Sequence, residues 1–383
     1  MKLIIRLLLG VAVGVLLGLY GPDILIQLLV TLKMLFGRFL SFTVPLIILF
    51  FVTSGIGSLH KGSGRILGST VFLSYLSTIG AGLVAYCAAV GVLPSVMPSV
   101  TANLDGAKEI MPLVEINLVP LMDISTALVL AFMFGMGISA TQSKTLLKAV
   151  EQGKCIIELV LMNAIIPLLP FYICGVFAEM GATGTAFKTL KTFAWVMALA
   201  VALHWVWLLI MFTMAGSIAR KNPLSMLRTM LPAYMTALGT LSSAATIPVT
   251  VNCVRKLNVN AHVVDFTVPL CATIHLSGSA TTLTVCTIAV VFLNTGVLPE
   301  FAQFVPFLAT LGVIMVAAPG TPGGGVMASL GLLTSMMGFG DSAIAMMIAL
   351  YLAQDGFGTA CNVMGDGAIA VIIDTVSQGR WRS

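Results

Sequence analysis

The sequence predicts an all-α polytopic membrane protein in which eight helices cross the bilayer and two further helical hairpins re-enter it. Three observations lead there. The first is composition: 58% of the 383 residues are hydrophobic and 9% are charged, whereas about 25% of a water-soluble fold is charged. Fourteen acids and nineteen bases cannot coat a fold of this size, and the mean hydropathy is +1.07, so lipid must be the solvent for most of the surface. The second is a series of long apolar runs, at residues 40–52, 71–92, 196–214, 282–293 and around 344–353. Extended through neighbouring Gly, Ser and Thr, each approaches the roughly 20 residues that cross the hydrocarbon core. The third is a pair of segments, 224–255 and 301–340, that are apolar yet interrupted by proline, glycine and hydroxyl residues. Alternating strands of about 10 residues, the mark of a membrane barrel, do not occur.

Residues 4–20 read as the first span. They resemble the apolar core of a signal peptide, but Gly21-Pro22-Asp23 reads as a turn rather than a small-residue cleavage site, so a retained helix is expected. Residues 24–54 form a long, tilted second span, 67–92 the third, 123–140 the fourth, 149–177 the fifth and 186–218 the sixth. The segment 224–255 contains Pro232, a polar centre (Thr240, Ser242, Ser243, Thr246) and Pro248. Residues 260–294 form a span with polar residues at its middle, and 301–340 contain Pro319 to Gly325 with three consecutive glycines. The last span is 343–374.

Basic residues test this order. A cytoplasmic N-terminus gathers Lys2, Arg6, Lys61, Arg65, Lys144, Lys148, Lys154, Arg220, Lys221, Arg228, Arg255, Lys256, Arg380 and Arg382 on the inner side. Asp23, Asp105, Glu109, Glu115, Glu179, Glu300 and Asp341 then fall outside, with few bases (Lys108, Lys188, Lys191). This is the positive-inside asymmetry. It holds only if 224–255 and 301–340 each leave on the side they entered. Non-helical backbone at membrane depth is tolerated where it is buried in protein or lines a cavity, and paired broken segments mark midplane binding sites in repeat-built carriers. Two kinked spans packed through small residues are the alternative.

The last span holds the sharpest signal. Asp355, Thr359, Asn362 and Asp366 stand at i, i+4, i+7 and i+11, which places them in a stripe roughly 60° wide on one helix face. An intramembrane acid costs at least ~2.5 kcal/mol on insertion scales, so the stripe must line an interior polar site or glue the bundle by hydrogen bonds. Carboxylate, amide and backbone carbonyl are hard oxygen ligands that suit Na+ or an ammonium group. The stripe contains no base. In the seventh span, hydroxylated and small residues surround His275, which either joins two elements by hydrogen bonds or couples protons. His204, beside Trp205 and Trp207, reads as structural, and Asp265 as paired near the inner interface. The seven cysteines show no CxxC pairing and read as buried small hydrophobes. Enzyme motifs such as Walker A, HExxH and Gly-x-Ser-x-Gly are missing, as is a basic run suited to nucleic acid. Asp355 and Asp366 lie about three turns apart, ~16 Å, too far to share a proton as a protease pair would. No enzyme is expected.

These residues resemble the dicarboxylate/amino acid:cation symporters, which include the glutamate transporter homologues. The similarity runs over nearly the whole chain. It is most specific in Ser242-Ser243-Ala244-Ala245-Thr246-Ile247-Pro248, in Ala272 to Ser279, in Gly320-Thr321-Pro322-Gly323-Gly324-Gly325 and in Asp355 to Asp366. The resemblance implies a glutamate-transporter-like elevator fold and a homotrimer in an inner, bacterial-type cytoplasmic membrane with both termini in the cytoplasm. Scaffold helices would occupy 1–66 and 115–184. Moving parts would be 67–114, 185–223, a first hairpin at 224–256, helix seven at 257–297, a second hairpin at 298–341, and 342–383.

By matching position, Asp355 would hold a substrate ammonium, with Thr359 and Asn362 beside it. Ser243 and the Thr321–Pro322–Gly323 backbone would hold its carboxylate, and Ser242, Ser279 and Gly358 would also line the substrate site. Asp366, with carbonyls around Cys271, His275 and Asn362, would bind Na+. Thr273 with the backbone from Met315 to Ala318 would bind another.

Members for acidic substrates carry an arginine where this chain has Gly358. His275 replaces an asparagine, Ser277 an aspartate, and Ile79, beside Thr78, a serine, so one of the family's three sodium sites is expected to be lost. The pattern is closest to the bacterial sodium-dependent serine/threonine transporters. A Na+-coupled symporter of a small neutral amino acid is therefore expected. The alternatives are a proton- or Na+-coupled carrier of a small carboxylate through His275 or Asp366, with H+ as the other coupling ion, and an uncoupled channel-like pathway.

Overall fold

A computed structural model describes residues 2–57, 64–97, 110–114, 116, 118–184, 186–318 and 322–377. The described residues are helical nearly throughout. In chain order the helices are α1 (Lys2–Tyr20), α2 (Asp23–Gly57), α3 (Gly64–Val96), α4 (Ile124–Thr141), α5 (Lys144–Val160), α6 (Ile166–Ala182), α7 (Ala186–Ala219), α8 (Pro223–Thr240), α9 (Ser243–Arg255), α10 (Ala261–Ile274), α11 (Ser277–Thr295), α12 (Phe301–Ala317), α13 (Gly324–Met337) and α14 (Asp341–Ser377). A π-helical turn at Leu161–Ile165 runs α5 into α6. Among the described residues, six stretches are long and apolar enough to cross a membrane, and they include α2, α3, α5–α6 and α10–α11.

Local chemistry sets the boundaries. Side chains of Asp123, Ser143, Asn222, Ser242 and Asn260 accept backbone N–H groups at the starts of α4, α5, α8, α9 and α10, replacing hydrogen bonds that a helix start otherwise lacks. The expected fifth span begins earlier than its apolar run, at Lys144, because the Ser143 cap nucleates an amphipathic first half.

Two groups of helices form. In the first, α1 lies on α6, and α2 packs on α4, α5 and α6. Gly10, Gly14 and Gly18 recur every fourth residue on α1. A Cβ on them would stand 2.6, 2.4 and 2.2 Å from the carbonyl oxygens of Pro170, Cys174 and Ala178. Such small-residue rows let membrane helices approach closely. Glu179, expected in an outside loop, lies within α6 and forms an ion pair with Lys33 of α2, because two charges on facing helices can neutralise each other there. In the described part of the loop after α3, Leu113 donates its N–H to Thr31 Oγ1 at 2.8 Å.

The second group surrounds α14, which contacts α3, α7, α8, α9, α10, α11 and α13 and is buried along nearly its whole length. α9 folds back on α8 across Leu241–Ser242, and α13 packs on α12. Exposed apolar side chains such as Leu9, Leu16, Val129, Met133, Ile156, Leu159 and Phe171 lie on the first group. Five cysteines are buried, but Cys87 and Cys155 are exposed, which corrects the expectation of seven buried thiols; thiols on outward helix faces need no protein around them where the solvent is lipid. Asp265 pairs with Arg255 at 2.7 Å, both half-exposed, as the sequence anticipates. Asp374, expected at the interface, is 4% exposed and accepts the Asn260 N–H at 3.3 Å.

Candidate functional site

The four polar residues of the α14 stripe are all buried, with Asp355 and Thr359 at 4% and 5% exposure and Asn362 and Asp366 at 1%. Each carboxylate meets a helix break. The α12–α13 connection ends at Gly323, whose φ of +75° is a left-handed conformation that glycine adopts without Cβ strain. That turn aims the Gly323 N–H at Asp355 Oδ2, 2.8 Å away. One residue along, the α8–α9 connection arrives: a Cβ on Gly356 would lie 2.9 Å from Leu241 Cδ2 and 3.1 Å from the Leu238 carbonyl oxygen. Both interrupted segments therefore reach α14 at the same turn.

Asn362 organises the break between α10 and α11. His275 and Leu276 are non-helical there, and the N–H groups of the second and third residues of α11 point at the amide. Asn362 Oδ1 accepts from Gly278 N at 2.7 Å and from Ser279 N at 3.3 Å, while its Nδ2 donates to Ser279 Oγ at 3.0 Å. A buried charge or amide is tolerated at this depth only when so satisfied.

Asp366 binds the other side of the break. Its Oδ1 lies 2.8 Å from His275 Nδ1, and His275 Nε2 lies 2.9 Å from Ser77 Oγ of α3. His275 thus ties α3 to α14. Asp366 Oδ2 and Thr78 Oγ1 are buried with no hydrogen-bond partner among the described residues, and such oxygens suit a hard cation.

Other expected residues divide. Ser243 is buried at the opening of α9, and the Ser242 hydroxyl is used as a cap, accepting Ala245 N at 3.2 Å. Ser279 joins Asn362. Pro322 lies in the turn before α13, while Thr321, with Pro319 and Gly320, lies outside the described residues. Gly358 faces α11, where a Cβ would stand 3.3 Å from Thr282 Oγ1.

Among the expected sodium ligands, the Cys271 carbonyl already accepts the His275 N–H at 2.8 Å, and Met315 and Ala318 are buried at the end of α12. The Thr273 side chain points away from these carbonyls. It is exposed and donates to Leu270 O at 2.7 Å, because a helical hydroxyl reaches the carbonyl of its own preceding turn.

Two participants escape sequence reasoning. The buried Tyr351 places its hydroxyl beside Asp355 and Ser279. It stands one turn before Asp355, so the stripe itself could have included it. Ser77 is brought to His275 from 198 residues away, and nothing local signals that.

The chain is 31% identical over 214 residues to excitatory amino acid transporter 1 of Ambystoma tigrinum, covering 56% of this chain and 39% of that protein. It is 34% identical over 155 residues to an excitatory amino acid transporter of Caenorhabditis elegans (40% and 30%), and 34% over 162 residues to human excitatory amino acid transporter 2 (42% and 28%). The matched stretches thus span less than half the length of each relative. The profile of the sodium:dicarboxylate symporter family, by contrast, matches residues 3–376. An integral membrane protein with several apolar spans and a polar centre along its last helix, this chain belongs to the sodium:dicarboxylate symporter family, a family of transporters rather than enzymes.

Proposed function

We propose that the protein is a secondary active symporter that takes up a small neutral amino acid, serine-, threonine- or alanine-like, together with Na+. The observation that carries this reading is the meeting of both helix interruptions with α14 at Asp355 and Gly356. Gly323 N–H and the Asp355 carboxylate already form a donor–anion contact. A zwitterionic substrate replaces it without loss of charge balance: the ammonium goes to Asp355, and the α-carboxylate takes the freed Gly323 N–H and the Ser243 end of α9. An N–H-rich helix start favours such an anion. Thr359, Asn362 and Ser279 complete the pocket.

Na+ coupling is supported by the family's name and by the orphaned Asp366 oxygen. The cations would be held by Asp366 with carbonyls near Cys271, His275 and Asn362, and by the end of α12 with the Thr273 backbone. In this picture α8–α9 and α12–α13 are re-entrant hairpins. The α14-centred group moves as an elevator against the α1–α2–α4–α6 scaffold of a homotrimer, in an inner membrane with both termini cytoplasmic.

The family's name also favours a second substrate class, a dicarboxylate. Against it, Lys33 is the only buried lysine or arginine among the described residues, and Glu179 holds it. A second substrate carboxylate would meet no countercharge.

Purified protein in a thermal-shift screen of the standard amino acids and small dicarboxylic acids, with Na+ or choline, tests the proposal, followed by uptake into proteoliposomes. Stabilisation by serine, threonine or alanine that requires Na+ is the expected result. A larger response to malate or aspartate overturns the substrate class, Na+-independent stabilisation overturns the coupling, and uptake without saturation or counterflow indicates a channel.

A further inference from the structure

His204 of α7 is not part of the polar stripe, yet it is completely buried and touches the site from behind. Its Nε2 lies 3.0 Å from the Gly278 carbonyl oxygen and 3.0 Å from Thr282 Oγ1. A carbonyl only accepts, so Nε2 carries the proton and donates. The N–H of the same Gly278 is held by Asn362 of α14. One residue is thus gripped at both ends, by an imidazole from α7 and an amide from α14. Cys361 of α14 adds a third link, its Sγ lying 3.7 Å from the His204 carbonyl oxygen.

The grip matters because the first turn of α11 has no slack. A Cβ on Gly278 would stand 2.2 Å from the Gly358 carbonyl oxygen and 2.7 Å from Cys361 Cβ. In the opposite direction, a Cβ on Gly358 would meet Thr282 Oγ1 at 3.3 Å and Gly278 C at 3.5 Å. Thr282, tethered by His204, is therefore the wall facing position 358, three residues beyond Asp355.

We infer that His204 is a positioning residue that sets substrate selectivity: by holding the Gly278 carbonyl and the Thr282 hydroxyl against α14, it fixes the pocket wall facing Gly358 and confines the site to small, uncharged side chains. This rests on the neutral amino acid reading above. Rotation or retreat of that turn changes the space beside the substrate side chain and also moves Ser279 and Asn362, so affinity and discrimination change together.

The test measures sodium-dependent binding and proteoliposome uptake of L-serine, L-threonine, L-alanine and L-aspartate by the full-length protein. His204→Phe keeps an aromatic ring but removes the donor; it raises KM for serine at least tenfold, shifts the serine-to-threonine ratio, and leaves kcat within about twofold. His204→Gln, whose side-chain amide can donate to the same carbonyl, restores affinity and ratio. Thr282→Ala shifts the ratio in the same direction as His204→Phe. Because His204 and Asn362 hold the same residue, their losses in a His204→Phe, Asn362→Ala pair are not additive. Unchanged KM and ratio in His204→Phe overturn the inference, as do additive losses or a monodisperse His204→Gln that stays as impaired as His204→Phe. Failure of the wild type to bind any of the three neutral amino acids overturns the neutral-substrate reading and this inference with it; wild-type binding combined with an indifferent His204→Phe overturns this inference alone.

Discussion

Replacing Asp355 by Asn separates the two roles of its carboxylate. The substitution is nearly isosteric. Its amide oxygen can still accept the Gly323 N–H now bonded to Oδ2 at 2.8 Å, so the α12–α13 connection keeps its anchor. What disappears is the charge that would meet the substrate ammonium in a pocket where Asp355 is 4% exposed. A hydrogen bond to a charged group contributes about 1.5–3 kcal/mol against about 1 kcal/mol for a neutral one. At 1.4 kcal/mol per factor of ten, losing that difference and leaving an ammonium half-satisfied weakens binding by roughly 10- to 100-fold. Isothermal titration of serine at saturating Na+, on wild type and Asp355→Asn in the same detergent, measures this directly. Melting temperatures without substrate should stay close, since the buried charge is removed and the turn contact kept. An Asp355→Asn protein that binds serine within twofold of wild type refutes the assignment of the ammonium to this residue. One that loses the fold instead refutes the claim that the contact survives neutralisation.

Other expectations follow from the same contacts. Gly278→Ala must push backbone away from the Gly358 carbonyl, 2.2 Å from the new Cβ; overpacking of this kind costs about 1–3 kcal/mol, and a lower melting temperature together with lost serine binding is expected. Gly323→Ala places a Cβ in left-handed backbone, 2.9 Å from Leu352 Cδ2, at about 1–2 kcal/mol, so the α12–α13 turn shifts off Asp355 and the effect appears in substrate affinity more than in expression. Lys33→Met leaves the one-third-exposed Glu179 without its partner. Thermal melts should show loss in Lys33→Met and near-complete recovery in Lys33→Met, Glu179→Gln, because removing both charges of a half-buried pair costs little; a double variant as unstable as the single one contradicts the pairing.

Much of the fold was legible because the physical cause is local. Apolar runs of bilayer length predicted helices, and α1, α2, α3, α4 and α7 lie within a few residues of the expected spans. The polar middle of residues 260–294 signalled the break at His275 and Leu276. The stripe on α14 was readable because four residues at helical spacing must share one face, and in lipid that face has to be covered. Helix ends were less legible, since caps such as Ser143 and Asn222 extend a helix past its apolar run.

What the stripe touches belongs to the tertiary structure alone. Gly323 reaches Asp355 across 32 residues, Gly278 reaches His204 across 74 and Ser77 reaches His275 across 198. A hydrogen bond needs partners within about 3 Å, and composition and period say nothing about which distant turn comes that close. Sequence by itself determined that buried polar groups must exist along the last helix; packing decided that a glycine turn, an asparagine-held helix start and a histidine satisfy them. The reason is one of range: hydrophobicity acts on every residue where it stands, whereas satisfying a buried charge requires a specific atom delivered from elsewhere in the chain.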